Sequence, residues 1–508
     1  MLASIGSFGL IGMEGFYTSV EVDISNGMPG FDIVGLPTTS VREAKERVRA
    51  AIKNAGYNWP MQRITVNLAP ADIRKEGTLY DLPIALGILC SSGEVYGGLL
   101  EGSIVLGELS LEGAIRPVYG VLPMVIDAAK QGIKRVILPK ENAQEADCIK
   151  GIEVIAVGHL REVIGYLSGV EIIAPLPVRG WDEIKASQPS HDEYILVKGQ
   201  REAKRAIEIA AAGAHNVLFT GPPGAGKTML ARAVTSILPD MTFEEALEVT
   251  KVHSLCGRLQ EGIITSRPFR APHHSASTAA LAGGGKVVKP GEISLANYGV
   301  LFLDEFPEYR RDALEALRQP LEDGVITISR ASSSVEYPAN FMLIAAMNPC
   351  PCGYFGSREH ECRCTPAQIQ KYQGKISAPL LDRIDIHVEM EQVTYQEMSG
   401  QGEEEPAKQV KERVQAARDI QSARFKTEKI FSNAQLQNRL ISKYCAVEGE
   451  AKQLLSDAFE NLKLSARAYN RILKVSRTIA DLADSERIMP EHIAEAIQYR
   501  SMENRYWY

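Results

Sequence analysis

An apolar run, Asn216-Val-Leu-Phe-Thr220, gives way to Gly221-Pro-Pro-Gly-Ala-Gly226-Lys227-Thr228 and then to a helical pattern from Met229. No other stretch restricts the fold so severely. A Gly-x-x-x-x-Gly-Lys-Thr segment between a strand and a helix lets successive backbone N–H groups curl around phosphate oxygens at a helix N-terminus. The surrounding chain therefore reads as an α/β domain. Its phosphate cradle is Gly221, Pro222, Pro223, Gly224, Ala225, Gly226, Lys227, Thr228 and Met229, with Lys227 reaching the β- and γ-phosphates and the Thr228 hydroxyl a Mg2+ ligand. ATP and Mg2+ are the expected cofactors.

Such a loop needs partners for hydrolysis, and the downstream chain offers them in order. Val300-Leu-Phe-Leu303 reads as a buried strand ending in Asp304-Glu305. An acidic pair at the carboxyl end of a parallel strand faces the nucleotide crevice, so Asp304 would hold magnesium and Glu305 would polarise the attacking water. A third strand, Phe341-Met-Leu-Ile-Ala-Ala-Met347, ends at Asn348, whose amide suits contact with the γ-phosphate or the water; alone, an Asn before Pro349 is a turn residue. Arg383, in Pro379-Leu-Leu-Asp-Arg-Ile-Asp385, looks like a finger that stabilises charge on a neighbour's nucleotide, and Arg467, near a helix start at Ser465, looks like the second nucleotide sensor. Taken singly, each arginine reads first as a surface ion-pair partner.

Composition sets the frame. At 508 residues the chain has room for about three domains. Its 45% hydrophobic and 23% charged residues are ordinary globular usage, and a net charge of −7 excludes a globally basic nucleic-acid coat while leaving room for a basic patch. Neither a membrane-length apolar run nor a signal segment is present, so a cytoplasmic protein without a membrane partner is expected. Three blocks emerge: residues 1–170, alternating strands and helices; a Pro/Gly-bearing linker at 171–193; and a second α/β block at 194–391, followed by a helical block at 392–508 after the polar Ser399–Glu405 loop. In the first block Ile104-Val-Leu and Val136-Ile-Leu read as strands flanking a helix over Val121–Lys130. In the last, Ile472, Val475, Ile479 and Leu482 recur as a core stripe.

Eight cysteines are too few for a disulfide scaffold, yet Cys350, Cys352, Cys362 and Cys364 fall within fifteen residues. Two close pairs of thiolates can close a tetrahedral Zn2+ site and pin a loop, with His360 a substitute ligand; four free thiols or a redox pair are the alternatives.

Taken together, the phosphate loop, Asp304-Glu305, Asn348, Arg383 and Arg467 resemble the AAA+ ATPases of the branch containing the magnesium-chelatase ATPase subunit and the MCM helicases. Two insertions favour that branch: a hairpin-like stretch from Gln319 to Asn340, and the segment from Pro268 to Gly299 with Ala271-Pro-His-His274. In MCM relatives such insertions touch DNA in a ring's channel. The resemblance thus implies phosphate contacts for Lys286, Lys289 and Arg330, which otherwise read as solvated loop tips.

Across its length, through Asn348-Pro-Cys-Pro-Cys-Gly-Tyr354, Leu380-Leu-Asp-Arg-Ile-Asp-Ile386 and Arg477-Thr-Ile-Ala-Asp-Leu482, the chain resembles the YifB/ComM-type magnesium-chelatase-like AAA proteins. That resemblance implies a homo-hexamer, a helical lid over the adenine, and ATP-driven translocation or branch migration on single-stranded or branched DNA, with recombination proteins as possible partners. The first block resembles the Lon protease domain in Gly107-Glu-Leu-Ser-Leu-Glu-Gly113 and Gly132–Asn142, but places Leu79 where Lon has its serine and Leu122 where Lon has its lysine. Neither side chain is a nucleophile or a base, which implies an inactive domain. Two other classes compete: an ATPase chaperone driving metal insertion, which DNA-stimulated hydrolysis would oppose, and a Lon-like ATP-dependent protease, which the two leucines oppose.

Overall fold

The computed structural model describes residues 2–186, 197–259, 262–285, 288–330, 333–357, 360–393, 405–428 and 430–501. Two compact units divide them: Met1–Gln188 with Phe243–Thr265, and Pro189–Thr242 with Ser266–Tyr508.

In the first unit a four-stranded sheet runs in the order Leu2–Ile11, Glu14–Ser25, Arg63–Ala69, Gly30–Val34, antiparallel except for its last pair. A smaller parallel sheet joins Ser103–Val105, Arg135–Pro139 and Glu153–Val157, and the helix between its first two strands spans Val121–Lys130, as the sequence predicts. The helix Asp81–Ser91 is apolar on nearly all sides and buried along almost its whole length. Its one carboxylate, Asp81, is held by Arg47 through two hydrogen bonds of 2.6 and 2.9 Å. Leu79 and Leu122 are buried side chains of this core.

Two segments differ from the sequence reading. Residues 171–193 were expected to be an exposed linker, yet Trp181–Ala186 is a helix, Ile184 is buried, and Arg179 pairs with Asp147 at 2.6 Å. Prolines flank this stretch, but Trp181 and Ile184 supply the apolar surface that anchors it; Trp181 meets Phe243 at 5.7 Å between centroids. Likewise Phe243–Leu255, a helix in the middle of the second block, packs within the first unit. There the Ser254 hydroxyl donates to the buried Glu145 at 2.6 Å.

The second unit is built on a five-stranded parallel sheet ordered Phe269–Arg270, Val300–Leu303, Met342–Met347, Val217–Thr220, Ile386–Glu389. The phosphate-loop strand is interior and every residue of it is buried, the near-continuous apolar pattern of a strand covered on both faces. After the sheet only helices and one 3-10 turn follow among the described residues, including Ala407–Arg424, Gly449–Asn461, Ala466–Leu482 and Pro490–Ser501. They share a hydrophobic core with the sheet through Ile472, Val475 and Ile479. The expected helix start at Ser465 is present: its hydroxyl accepts the Ala468 N–H at 3.1 Å. The expected hairpin pairs Val325–Arg330 with Ser333–Pro338. No helix among the described residues is long and apolar enough to cross a membrane.

Candidate functional site

The strand Val217–Thr220 delivers the chain to Gly221, and the helix Lys227–Ala233 begins where the loop ends. Gly226, the residue before that helix, has φ +85°, a left-handed conformation that glycine adopts without strain. The loop brings Lys227 inward, where its Nζ donates to the carbonyls of Gly221 at 2.7 Å and Pro222 at 2.9 Å and to Asn348 Oδ1 at 3.1 Å. A buried ammonium whose hydrogen bonds go to neutral oxygens has the charge to take an anion. Burial pulls its pKa down to about 8, with Asp304 acting the other way.

Asp304 and Glu305 follow the adjacent-but-one strand, Val300–Leu303. The Thr228 hydroxyl donates to Asp304 Oδ2 at 2.6 Å, so a hydroxyl and a carboxylate oxygen converge as a hard divalent cation requires. Thr228 and Asp304 fit Mg2+ on that geometry. Glu305 is mostly exposed at its side chain and carries φ +51°, a left-handed backbone rare for a side-chain-bearing residue. Its carboxylate lies 2.9 Å from His274 Nδ1. His273 stacks on His274 at 4.1 Å, and the two line a cleft of about 310 Å3 with Thr228, Asp304 and Glu305. The His-His pair is visible in the sequence within the first insertion, but its approach to Glu305 is a long-range contact that no local pattern encodes.

The structure thus brings Lys227, Thr228, Asp304, Glu305 and Asn348 together. The two arginines are placed differently. Arg383 is turned inward, 7% exposed, with Nη1 donating to the Pro379 carbonyl at 2.7 Å and Nη2 paired with Glu322. Arg467 is exposed at the first turn of Ala466–Leu482 and, with Arg383, helps hold the Glu322 carboxyl below its usual range. On the same helix Arg471 is tied to the buried Asp385 and Arg477 to Asp481, so Arg467 alone of the three projects outward. Burial opposes ionisation of Asp385, but Arg471 and His215 overcome it and hold the carboxyl far below the carboxylate range. Its role is to lock strand end to helix.

Cys350, Cys352, Cys362 and Cys364 are free thiols whose sulfurs all lie within 4.8 Å of one another. Three pairs measure 3.3, 3.6 and 3.7 Å. Tetrahedral zinc with Zn–S bonds of about 2.3 Å needs sulfurs about 3.8 Å apart, so the cluster fits zinc; His360 is not part of it. Of the candidate DNA contacts, Lys286 lies outside the described residues, Lys289 is exposed in the two-residue strand Lys289–Pro290, and Arg330 ends the first strand of the hairpin.

Comparison with known proteins agrees with this geometry. Residues 194–398 match the family described as magnesium chelatase, subunit ChlI; residues 20–142 match subunit ChlI of Mg-chelatase, and residues 404–500 match the ChlI C-terminal family. The chain is 45% identical over 505 residues to competence protein ComM of Haemophilus influenzae, covering 99% of this chain and 98% of that protein. It is 43% identical over 492 residues to the uncharacterized protein YifB of Escherichia coli, covering 96% and 94%. A shorter similarity, 29% over 183 residues and 30% of the chain, links it to 27% of the magnesium-chelatase 67 kDa subunit of Heliobacterium mobile.

Proposed function

Because the chain belongs to the ComM/YifB family of magnesium-chelatase-like ATPases, we propose that it is a ring-forming motor that spends ATP hydrolysis on moving DNA, as strand translocation or branch migration in recombination or natural transformation. One observation carries the reading: at three strand ends Lys227 is hydrogen-bonded to Asn348 and Thr228 to Asp304, which is followed directly by Glu305, and Asp304 is close enough to Lys227 to act on its charge.

In this reading Lys227 and the loop N–H groups bind the β- and γ-phosphates, and Asn348 aligns the γ-phosphate with the water. Glu305 leaves His274 and accepts the proton as the water attacks. Thr228 and Asp304 would hold magnesium, which would supply neutralisation of the phosphate charge. Arg467 contacts the phosphates of its own protomer. Arg383 serves the neighbour's site once its pair with Glu322 opens, so the ring, a hexamer, is part of the catalyst. Cys350, Cys352, Cys362 and Cys364 would hold a structural zinc. Lys286, Lys289 and Arg330 meet DNA phosphates from the two insertions, and the N-terminal unit is a Lon-like domain without proteolysis, since buried Leu79 and Leu122 offer neither nucleophile nor base.

A four-way DNA junction with one labelled arm tests the motor. Wild type should resolve it in the presence of ATP and fail with a non-hydrolysable analogue. Junctions left intact under both conditions would remove DNA as the substrate. Metal-chelatase chemistry, which the Heliobacterium mobile similarity brings into view, would then be the surviving reading.

A further inference from the structure

We propose that the four-cysteine clip is a metal-dependent strut of the phosphate site: closed on zinc, it positions Asn348 and the phosphate loop for hydrolysis. The inference rests on the ATPase reading above.

The clip begins two residues after Asn348, at the end of the strand Met342–Met347, and Cys350 is fully buried. Asn348 is in turn the side-chain acceptor for Lys227, at 3.1 Å. A second route joins clip to loop. Gly353 has φ +87°, and a Cβ placed there would fall 2.6 Å from Pro223 Cδ, so the clip's backbone lies directly against the phosphate loop. The stretch between is clamped by Gln373, whose buried amide donates to the Pro349 carbonyl at 3.0 Å, and by the Phe355 N–H, which donates to Cys350 Sγ at 3.3 Å. Asn348, Glu305, Cys352 and Cys364 line one cleft of about 720 Å3.

This architecture has one unstable point. Four sulfurs within 4.8 Å gain little from thiol hydrogen bonds, and as thiolates they repel. A divalent cation converts that repulsion into four bonds and fixes both routes at once. Without it, only weak thiol contacts and backbone N–H groups donating to sulfur hold Cys362 and Cys364 to Cys350 and Cys352, and the backbone carrying Asn348 and Gly353 relaxes away from Lys227 and Pro223. Binding, which rests mainly on Lys227 and the loop N–H groups, should suffer less than the chemical step, which needs Asn348 in place.

The test uses the full chain in four forms: wild type as purified, wild type stripped by chelation and then refilled with zinc, Cys362→Ser/Cys364→Ser, and Gly353→Ala. Zinc content, affinity for an ATP analogue, thermal unfolding and kcat are measured on each. Wild type and Gly353→Ala should carry about one zinc per chain. Stripped wild type, the double serine variant and Gly353→Ala should lose kcat by about tenfold to a hundredfold, with analogue affinity changed by far less, and zinc should restore the stripped protein. Gly353→Ala separates positioning from metal retention, because it keeps all four ligands. Wild-type kcat in folded, zinc-free protein would overturn the strut while leaving the ATPase reading intact. Wild type that purifies without zinc would overturn it too, and zinc-replete wild type with no hydrolysis at all would overturn both.

Discussion

Lys227 is a cation buried among neutral oxygens, and burial brings its pKa to about 8. Below that value the empty site already holds a charged ammonium; above it, ATP must draw a proton back onto Nζ before the contact forms. ATP affinity should therefore fall as pH rises through about 8, and calorimetric titration of wild type against Lys227→Ala would show a pH-dependent arm that the variant lacks. Glu305 poses a different problem, since His274 sits on its carboxylate at 2.9 Å. Glu305→Gln should bind ATP normally and lose about 10²- to 10⁴-fold in kcat. His274→Ala should raise basal kcat severalfold by freeing the carboxylate, and should change nothing further in the Glu305→Gln background; additive effects would show that the pair is not coupled. At this scale the positions of Lys227, Thr228, Asp304 and Asn348 at strand ends and in the loop were legible, because the spacing that sets them is local. His274 on Glu305 and Glu322 on Arg383 were not, because both join segments tens of residues apart.

Elements were legible where periodicity was strong. The helix Val121–Lys130, the capped helix from Ser465 and the hairpin around residue 330 all lie where the pattern puts them. The departures share one cause. The stretch from Arg179 to Ala186 and the helix Phe243–Leu255 carry charge and take partners far along the chain, Asp147 for Arg179 and Glu145 for Ser254, so local composition says little about where they settle. Buried charge within an element also makes a stability prediction. Asp81 sits in an otherwise apolar buried helix, and burial raises its carboxyl pKa despite Arg47. Arg47→Ala would leave that carboxylate uncompensated and should cost about 3 kcal/mol in chemical denaturation, whereas Arg63→Ala, in an exposed pair with Asp32, should cost well under about 1 kcal/mol.

At the scale of the whole molecule, the proposed active site spans two protomers. Arg383→Ala and Lys227→Ala should each be nearly inactive alone. Mixed, they should recover part of the hydrolysis, because some interfaces then join an intact cradle to an intact guanidinium; strict failure to complement would place Arg383 in a structural role beside Glu322. The central claim is that hydrolysis answers to DNA, and the most direct measurement is steady-state ATP turnover of the wild-type chain with single-stranded, duplex and branched DNA. Turnover should rise severalfold with at least one of these, branched DNA foremost, and vanish in Glu305→Gln. Turnover that stays at the same value with every DNA, or that survives in Glu305→Gln, would contradict it.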